Sequence, residues 1–304
     1  MKLILPEGFL DEEIRDGYTV SSDIKKVWAI QLDLLAETIR ICREYNINYF
    51  LSGGSLLGAV RHGGYIPWDD DLDIMMFRED YNRFCEIAPK AFKSPYFFQT
   101  EKTDPGYLLR HAKIRNGETT CLFKILEKYD CKFNQGIFLD VFPLDNIPDD
   151  MNERNVYYKK LYKAWGKVWE LSAYVNRGVR FSFLKNIAMT IKSMFHMEKL
   201  YYKKYIALES KYNNYDTKEC CVFLCTIQPS GISDKFTWSR QDFNQFVEVP
   251  FEMLSVRIPK NYDQILSRQY NNWHKRVMGG AEHGALFFID NLKERSLQVV
   301  EYLK

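Results

Sequence analysis

The sequence predicts an α/β (α+β) protein, in which a mixed sheet flanked by helices is followed by a helical, basic, aromatic-rich second region. Three observations carry this. Helical spacing over residues 22–45 runs into short apolar runs separated by turn residues. A glycine-rich turn, Ser52-Gly53-Gly54-Ser55, joins one such run to a short helix. From residue 151 the composition shifts to cations and aromatics.

Taken in order, Ser21 or Ser22 caps a helix to about Tyr45, with Ile24, Val27, Trp28, Gln31, Leu34, Leu35, Thr38, Ile41 and Cys42 on helical spacing. Residues 47–51 read as a strand, and Leu56 to Arg61 as a short helix. Asp71 to Met76 alternates and reads as a strand, with Asp71 and Asp73 on one face and Leu72 and Ile74 on the other. A helix from Glu79 to Ala88 ends at Pro89, and a strand runs from Tyr96 to Thr100. Over 108–115, Leu109, His111, Lys113 and Arg115 share one strand face. Gly136 to Asp145 is an apolar strand with Asp140 inside it, and Asp145 reads as a loop or capping residue. A hairpin over 246–258 and a helix over 261–273 follow. The segments divide as 1–150, a catalytic core; 151–215, a basic helical region; and 216–304, a C-terminal region completing the core.

Chemistry concentrates in Gly63-Gly64-Tyr65-Ile66-Pro67-Trp68-Asp69-Asp70-Asp71-Leu72-Asp73-Ile74. Four carboxylates this close repel one another and call for shared protons or a cation. Paired oxygen ligands on a strand suit Mg²⁺ or Mn²⁺, with substrate phosphates completing the shell. Glycine-turn amides at Gly53, Gly54 and Ser55 can cradle phosphate oxygens. Arg61 either aims at phosphate or neutralises the aspartates. Two plainer readings compete. A solvated acidic turn is disfavoured by Trp68, Leu72, Ile74, Met75 and Met76. An EF-hand loop needs Gly at its sixth position, where this chain has Ile74. Lys113 and Arg115 suit phosphate, or an exposed strand face. Asp140 is costly in an apolar strand unless paired or metal-bound.

The string GAVRHGGYIPWDDDLDI, followed by Arg78-Glu79-Asp80-Tyr81, resembles the LicD family, relatives of fukutin and fukutin-related protein. The resemblance implies a nucleotidyltransferase-like fold and a transferase that moves phosphocholine, or in fukutin relatives ribitol phosphate, from a CDP-alcohol to a glycan precursor with release of CMP. It implies that Asp71, Asp73 and Asp140 are catalytic and hold the metal. Gly53, Gly54, Ser55, Arg61, Asp69, Lys113 and Arg115 then bind substrate. One departure from the family pattern is Tyr270-Asn271, where a Tyr-Gly often stands. A nucleotidyltransferase acting on a nucleoside triphosphate and a non-catalytic membrane-docked scaffold are the alternatives.

Net charge is +2 over 304 residues, which by itself neither favours nor excludes nucleic acid. Residues 154–204, however, hold twelve Lys/Arg against two Glu, interleaved with aromatics. Such a region fits peripheral contact with an anionic membrane or an acidic glycan, and no nucleic-acid motif accompanies it. Seven cysteines without a CxxC read as reduced core thiols, with Cys220 to Cys225 in a buried strand, over a zinc site. No secretory leader or membrane-spanning run is visible, so the expectation is a cytoplasmic protein, working at the inner face of a membrane. Trp273 and His283 are candidates for lining the acceptor side, with no role assigned to either.

Overall fold

In a computed structural model, residues 2–123, 131, 133–228, 231–278 and 285–288 are described. His283 and most of the turn at Pro229-Ser230 lie outside them. A hairpin, β1 (Glu13–Arg15) and β2 (Tyr18–Val20), leads to α1 (Ser22–Glu44). Ser21 caps α1 by accepting from the Ile24 amide, as the sequence predicts. Next come β3 (Phe50–Leu51), α2 (Gly53–His62), β4 (Asp73–Phe77) and α3 (Arg78–Ala91). Strands β5 (Tyr96–Gln99), β6 (Ala112–Asn116), β7 (Thr120–Phe123) and β8 (Phe138–Ile147) follow.

Three helices make the basic region: α4 (Met151–Asn176), α5 (Phe183–Met194) and α6 (Met197–Glu209). The remainder is β9 (Glu219–Cys221), the short helix α7 (Phe223–Thr226), a small hairpin β10 (Ile227–Gln228) and β11 (Gly231–Ile232), and β12 (Thr237–Ser239). Then come the hairpin β13 (Phe246–Phe251) and β14 (Leu254–Pro259), α8 (Tyr262–Tyr270) and β15 (Ala285–Phe288).

Strand β8 is the hub. All ten of its residues are buried, so it is covered on both faces and needs no alternation. One edge pairs in parallel with β4, setting Asp73 beside Asp140. The other edge pairs antiparallel with β6 over residues 138–141 and with β9 over residues 145–147. Strands β3 and β12 close the ends of this mixed sheet. The main core lies between the sheet and α1, where Trp28, Leu32, Leu35, Leu72, Ile74, Met76, Ile114 and Val141 are fully sequestered.

Several boundaries differ from the sequence reading. Strand β4 starts at Asp73, because Asp71 and Leu72 belong to the loop that enters it. Pro89 sits inside the last turn of α3 and does not end it. The Cys220–Cys225 run is not one strand: Cys220 and Cys221 lie on β9 and Cys225 on α7.

Asp145 is not a loop residue. It is fully buried on β8, where Arg78 donates to it twice, at 2.7 and 2.5 Å. Arg78 also donates to Glu209 on α6 at 3.0 Å. This network ties the helical region to the sheet. Tyr157, Tyr158, Tyr202, Tyr205 and Tyr212 pack with Ile147 and Cys221 in a second core. Among the described residues, no helix is long and apolar enough to cross a membrane.

Candidate active site

Aspartates 69–73 form a loop that the rest of the molecule holds in place. Trp28 Nε1 donates to the Asp69 carbonyl and Gln31 Nε2 to the Asp70 carbonyl, each at 2.9 Å. Both donors come from α1, one turn apart on the same face. The loop's beginning is clamped from the β13–β14 hairpin. Glu252 Oε1 accepts from the Tyr65 amide at 3.0 Å and from Arg15 at 2.6 Å. A Cβ on Gly64 would lie 2.0 Å from that oxygen, so the clamp needs glycine there. Tyr65 then stacks on Trp28 at 4.5 Å between centroids.

Helix α2 starts against the acidic loop. Ser55 Oγ accepts from the Asp73 amide at 2.9 Å. A Cβ on Gly54 would come within 2.5 Å of Asp69 Oδ2. The bare backbone of Gly54 lets the carboxylate approach this closely, and the positive end of the helix dipole favours that approach. Gly53, Gly54, Ser55 and Asp69 thus lie together at the start of α2.

The carboxylates crowd. Oxygens of Asp69, Asp70 and Asp71 lie within 4.8 Å of one another, a spacing one metal ion can span. Asp73 is half-buried beside them. Burial pushes its carboxyl well above the usual range, and the charges of Asp71, Asp140 and Asp69 push it further. Among the described residues, nothing donates a hydrogen bond to its Oδ1.

Asp140 has the opposite surroundings. Lys113 Nζ lies 2.5 Å and His111 Nε2 3.1 Å from its Oδ1. Burial alone would raise its pKa, but the Lys113 and His111 charges outweigh burial and hold it well below the ordinary value. The register explains the contact, since Lys113 is the direct cross-strand partner of Asp140. Burial in turn lowers the pKa of His111, against the opposing pull of Asp140.

The predicted cations are dispersed. Lys113 is occupied with Asp140. Arg115 is buried, donating to Gln99 Oε1 at 2.5 Å and to the Gly136 carbonyl at 2.6 Å. Arg115, expected to bind phosphate, thus donates to protein acceptors here, two residues or about 6.5 Å along the strand from Lys113. Arg61, at the far end of α2, donates to the Trp273 carbonyl at 3.3 Å. Burial and then the Arg276 charge lower its pKa, with Asp16 and the Tyr270 phenol opposing.

Three contributors escaped the sequence reading. His111 touches Asp140. The Tyr270 hydroxyl on α8 is raised by burial and then by Asp69, Asp73 and Asp71. The Cys225 thiol on α7 is pushed up to about 12 by burial and next by Asp73. Tyr270 and Cys225 are single residues far in sequence from the aspartates, with no local pattern to mark them; His111 shares the strand face of Lys113, which by itself does not assign it a role.

Two aspartates paired across neighbouring strands, a glycine-led helix start and an acidic loop against it are the layout expected of a nucleotidyltransferase domain. Residues 46–169 match the family described as LicD/FKTN/FKRP, nucleotidyltransferase domain. These residues are a LicD-family domain. Asp69–Asp73, Lys113 and Asp140 all fall within it.

The chain is 27% identical over 245 residues to the lipopolysaccharide cholinephosphotransferase LicD of Haemophilus influenzae, covering 80% of this chain and 88% of that protein. It is 36% identical over 133 residues to an uncharacterized protein of Rickettsia typhi, covering 43% of this chain and 38% of that one. It is 46% identical over 59 residues to the ribitol 5-phosphate transferase FKRP of Homo sapiens, covering 18% of this chain and 12% of that protein.

Proposed function

We propose that the protein is a metal-dependent phosphotransferase that moves phosphocholine, or a related alcohol phosphate, from a CDP-alcohol to a hydroxyl of a cell-surface glycan precursor, releasing CMP. The observation that carries this is Asp73, a half-buried carboxylate whose Oδ1 is buried and unpartnered among three further aspartates. Such a group is stable only when protonated or facing a cation. The donor set fits Mg²⁺ or Mn²⁺, being oxygen only: Asp69, Asp70 and Asp71 lie within reach of a single ion, and the Asp73 charge acts beside them. A bound divalent ion would neutralise charge on the donor diphosphate.

The chain's own residues do the rest. Backbone amides of Gly53, Gly54 and Ser55 at the start of α2 present donors to phosphate oxygens. Asp140 is held ionised and oriented by Lys113 and His111, which suits a cation ligand better than a base, since a general base works best with a pKa near the operating pH. Phosphoryl transfer needs little covalent help from a protein, so positioning and electrostatics account for most of the rate. The relatives named above for cholinephosphate and ribitol phosphate transfer support an alcohol phosphate as the group moved.

Choline is favoured because the relative matched over most of both chains is a cholinephosphotransferase. A lipid-linked or teichoic-type precursor at the cytoplasmic face would be the acceptor. The test is CMP release by the purified chain with Mg²⁺, a glycan precursor preparation, and CDP-choline, CDP-ethanolamine, CDP-ribitol or CDP-glycerol. CMP release that chelation abolishes is the expected result. Pyrophosphate release from a nucleoside triphosphate, with no CMP from any CDP-alcohol, would overturn it.

A further inference from the structure

Helix α5 leaves most of its surface in solvent. Three of its polar side chains are tied to α4 or to the segment just before the helix. Thr190 Oγ1 lies 2.7 Å from the Tyr174 hydroxyl of α4, and Lys185 Nζ lies 3.0 Å from Glu170 Oε1. The Asn186 side chain exchanges two hydrogen bonds with the Phe181 backbone, at 2.8 and 3.0 Å. Of the helix's twelve side chains only Met189 is buried.

The apolar side faces water. Phe183 and Leu184 are each 78% exposed, Ile191 52%, Met194 73% and the adjoining Phe195 74%. With Ile187, also exposed, residues 184, 187, 191, 194 and 195 follow the spacing of three and four that keeps side chains on one helical face. They form a stripe, and a stripe of large apolar side chains in water marks a contact surface.

Charge selects the partner. Residues 177–204 hold seven Lys/Arg against one acid, Glu198, which is buried. Helix α5 has no acidic residue at all, and Arg180, Lys199, Lys203 and Lys204 are exposed around it. Two copies meeting through this surface would bring like charges together. An anionic bilayer accepts both features, apolar side chains at the headgroup boundary and cations at the lipid phosphates. Twelve residues of helix span about 18 Å, too short to cross the roughly 30 Å of hydrocarbon. The helix must therefore lie in the plane of the surface.

We propose that α5 is an in-plane anchor that docks the protein on an anionic membrane through Leu184, Ile187, Ile191, Met194 and Phe195. The inference does not depend on the reaction proposed above. The experiment is co-sedimentation of the full chain with vesicles of phosphatidylcholine alone or mixed with phosphatidylglycerol. Binding to the phosphatidylglycerol vesicles, weakened by salt, is expected. The variant Leu184→Ser/Ile187→Ser/Ile191→Ser should keep the parent's melting temperature, since these side chains are exposed, and should bind about tenfold more weakly or worse. Lys199→Glu/Lys203→Glu should lose the preference for phosphatidylglycerol. No binding to either vesicle, or equal binding by parent and triple-serine variant, overturns the proposal. So does a parent dimer in light scattering that the triple-serine change makes monomeric while vesicles are ignored, because the stripe then belongs to a second copy.

Discussion

Lys113 on β6 places its ammonium 2.5 Å from the carboxylate of Asp140, its cross-strand partner on β8. Both groups are buried. The pair explains why an aspartate is tolerated in the middle of the most deeply buried strand of the sheet. Losing one partner strands the other charge, at a cost of about 3–5 kcal/mol. Lys113→Met should lower the unfolding free energy by roughly that amount, and Lys113→Met/Asp140→Leu should recover part of it. Urea denaturation of the four proteins in this cycle measures the coupling, and strict additivity would show that the two side chains do not interact.

The approach of Asp69 to Gly54 makes a second prediction. A methyl group there would meet Asp69 Oδ2 at 2.5 Å, at the far end of a side chain and not at backbone. Asp69 must then rotate, so Gly54→Ala should fold normally but need a higher Mg²⁺ concentration for half-maximal CMP release. An unchanged metal requirement with a lowered melting temperature would mean that the contact is only one of packing.

Ser55 accepts the amide of Asp73 and fixes where β4 begins. Ser55→Ala should cost about 1 kcal/mol of stability, the usual worth of one such bond. The loss of CMP release should exceed what that destabilisation explains, because the displaced group is Asp73. Comparing kcat at a temperature where both proteins are fully folded separates the two effects.

One guanidinium, that of Arg78, serves two acids, Asp145 and Glu209. Burial pushes Glu209 up to about 7, with Asp145 adding to the rise and Arg78 opposing it. The folded protein therefore keeps a proton that the unfolded chain gives up above an ordinary pKa of 4.5. This contribution is fully present below pH 4.5 and is lost as pH rises through 7, amounting to about 3 kcal/mol. Glu209→Gln should flatten the stability profile between those limits, as read from melting temperatures across that pH range. A profile as steep as the parent's would assign the slope to another group.

Much of the frame was legible in the sequence, and the reasons are local. Ser21 and the apolar spacing of residues 24–42 specify α1, and Gly53-Gly54-Ser55 specify a turn into a helix. Asp73 announces itself by sitting in an apolar run. What stayed hidden depends on register and on long-range contact. Asp73 and Asp140 are neighbours only because β4 and β8 pair in parallel, a relationship that the family resemblance anticipates and spacing alone does not. Arg78, Asp145 and Glu209 are ordinary charges until three elements converge. Lys113 and Arg115 share a strand face, yet one meets Asp140 and the other meets Gln99. Tyr157, Tyr158, Tyr202 and Tyr205 read equally well as surface or core, since tyrosine is apolar in its body and polar at its tip; packing against β8 and β9 made them core.

The central claim is that the aspartates around Asp73 hold a divalent cation. Its most direct test is a Mn²⁺ titration followed by electron paramagnetic resonance, on the parent and on Asp73→Asn, with CDP-choline present. The account predicts saturable binding to the parent and loss of most of it in the variant, whose circular dichroism should be unchanged. Equal Mn²⁺ binding by the two proteins would contradict it.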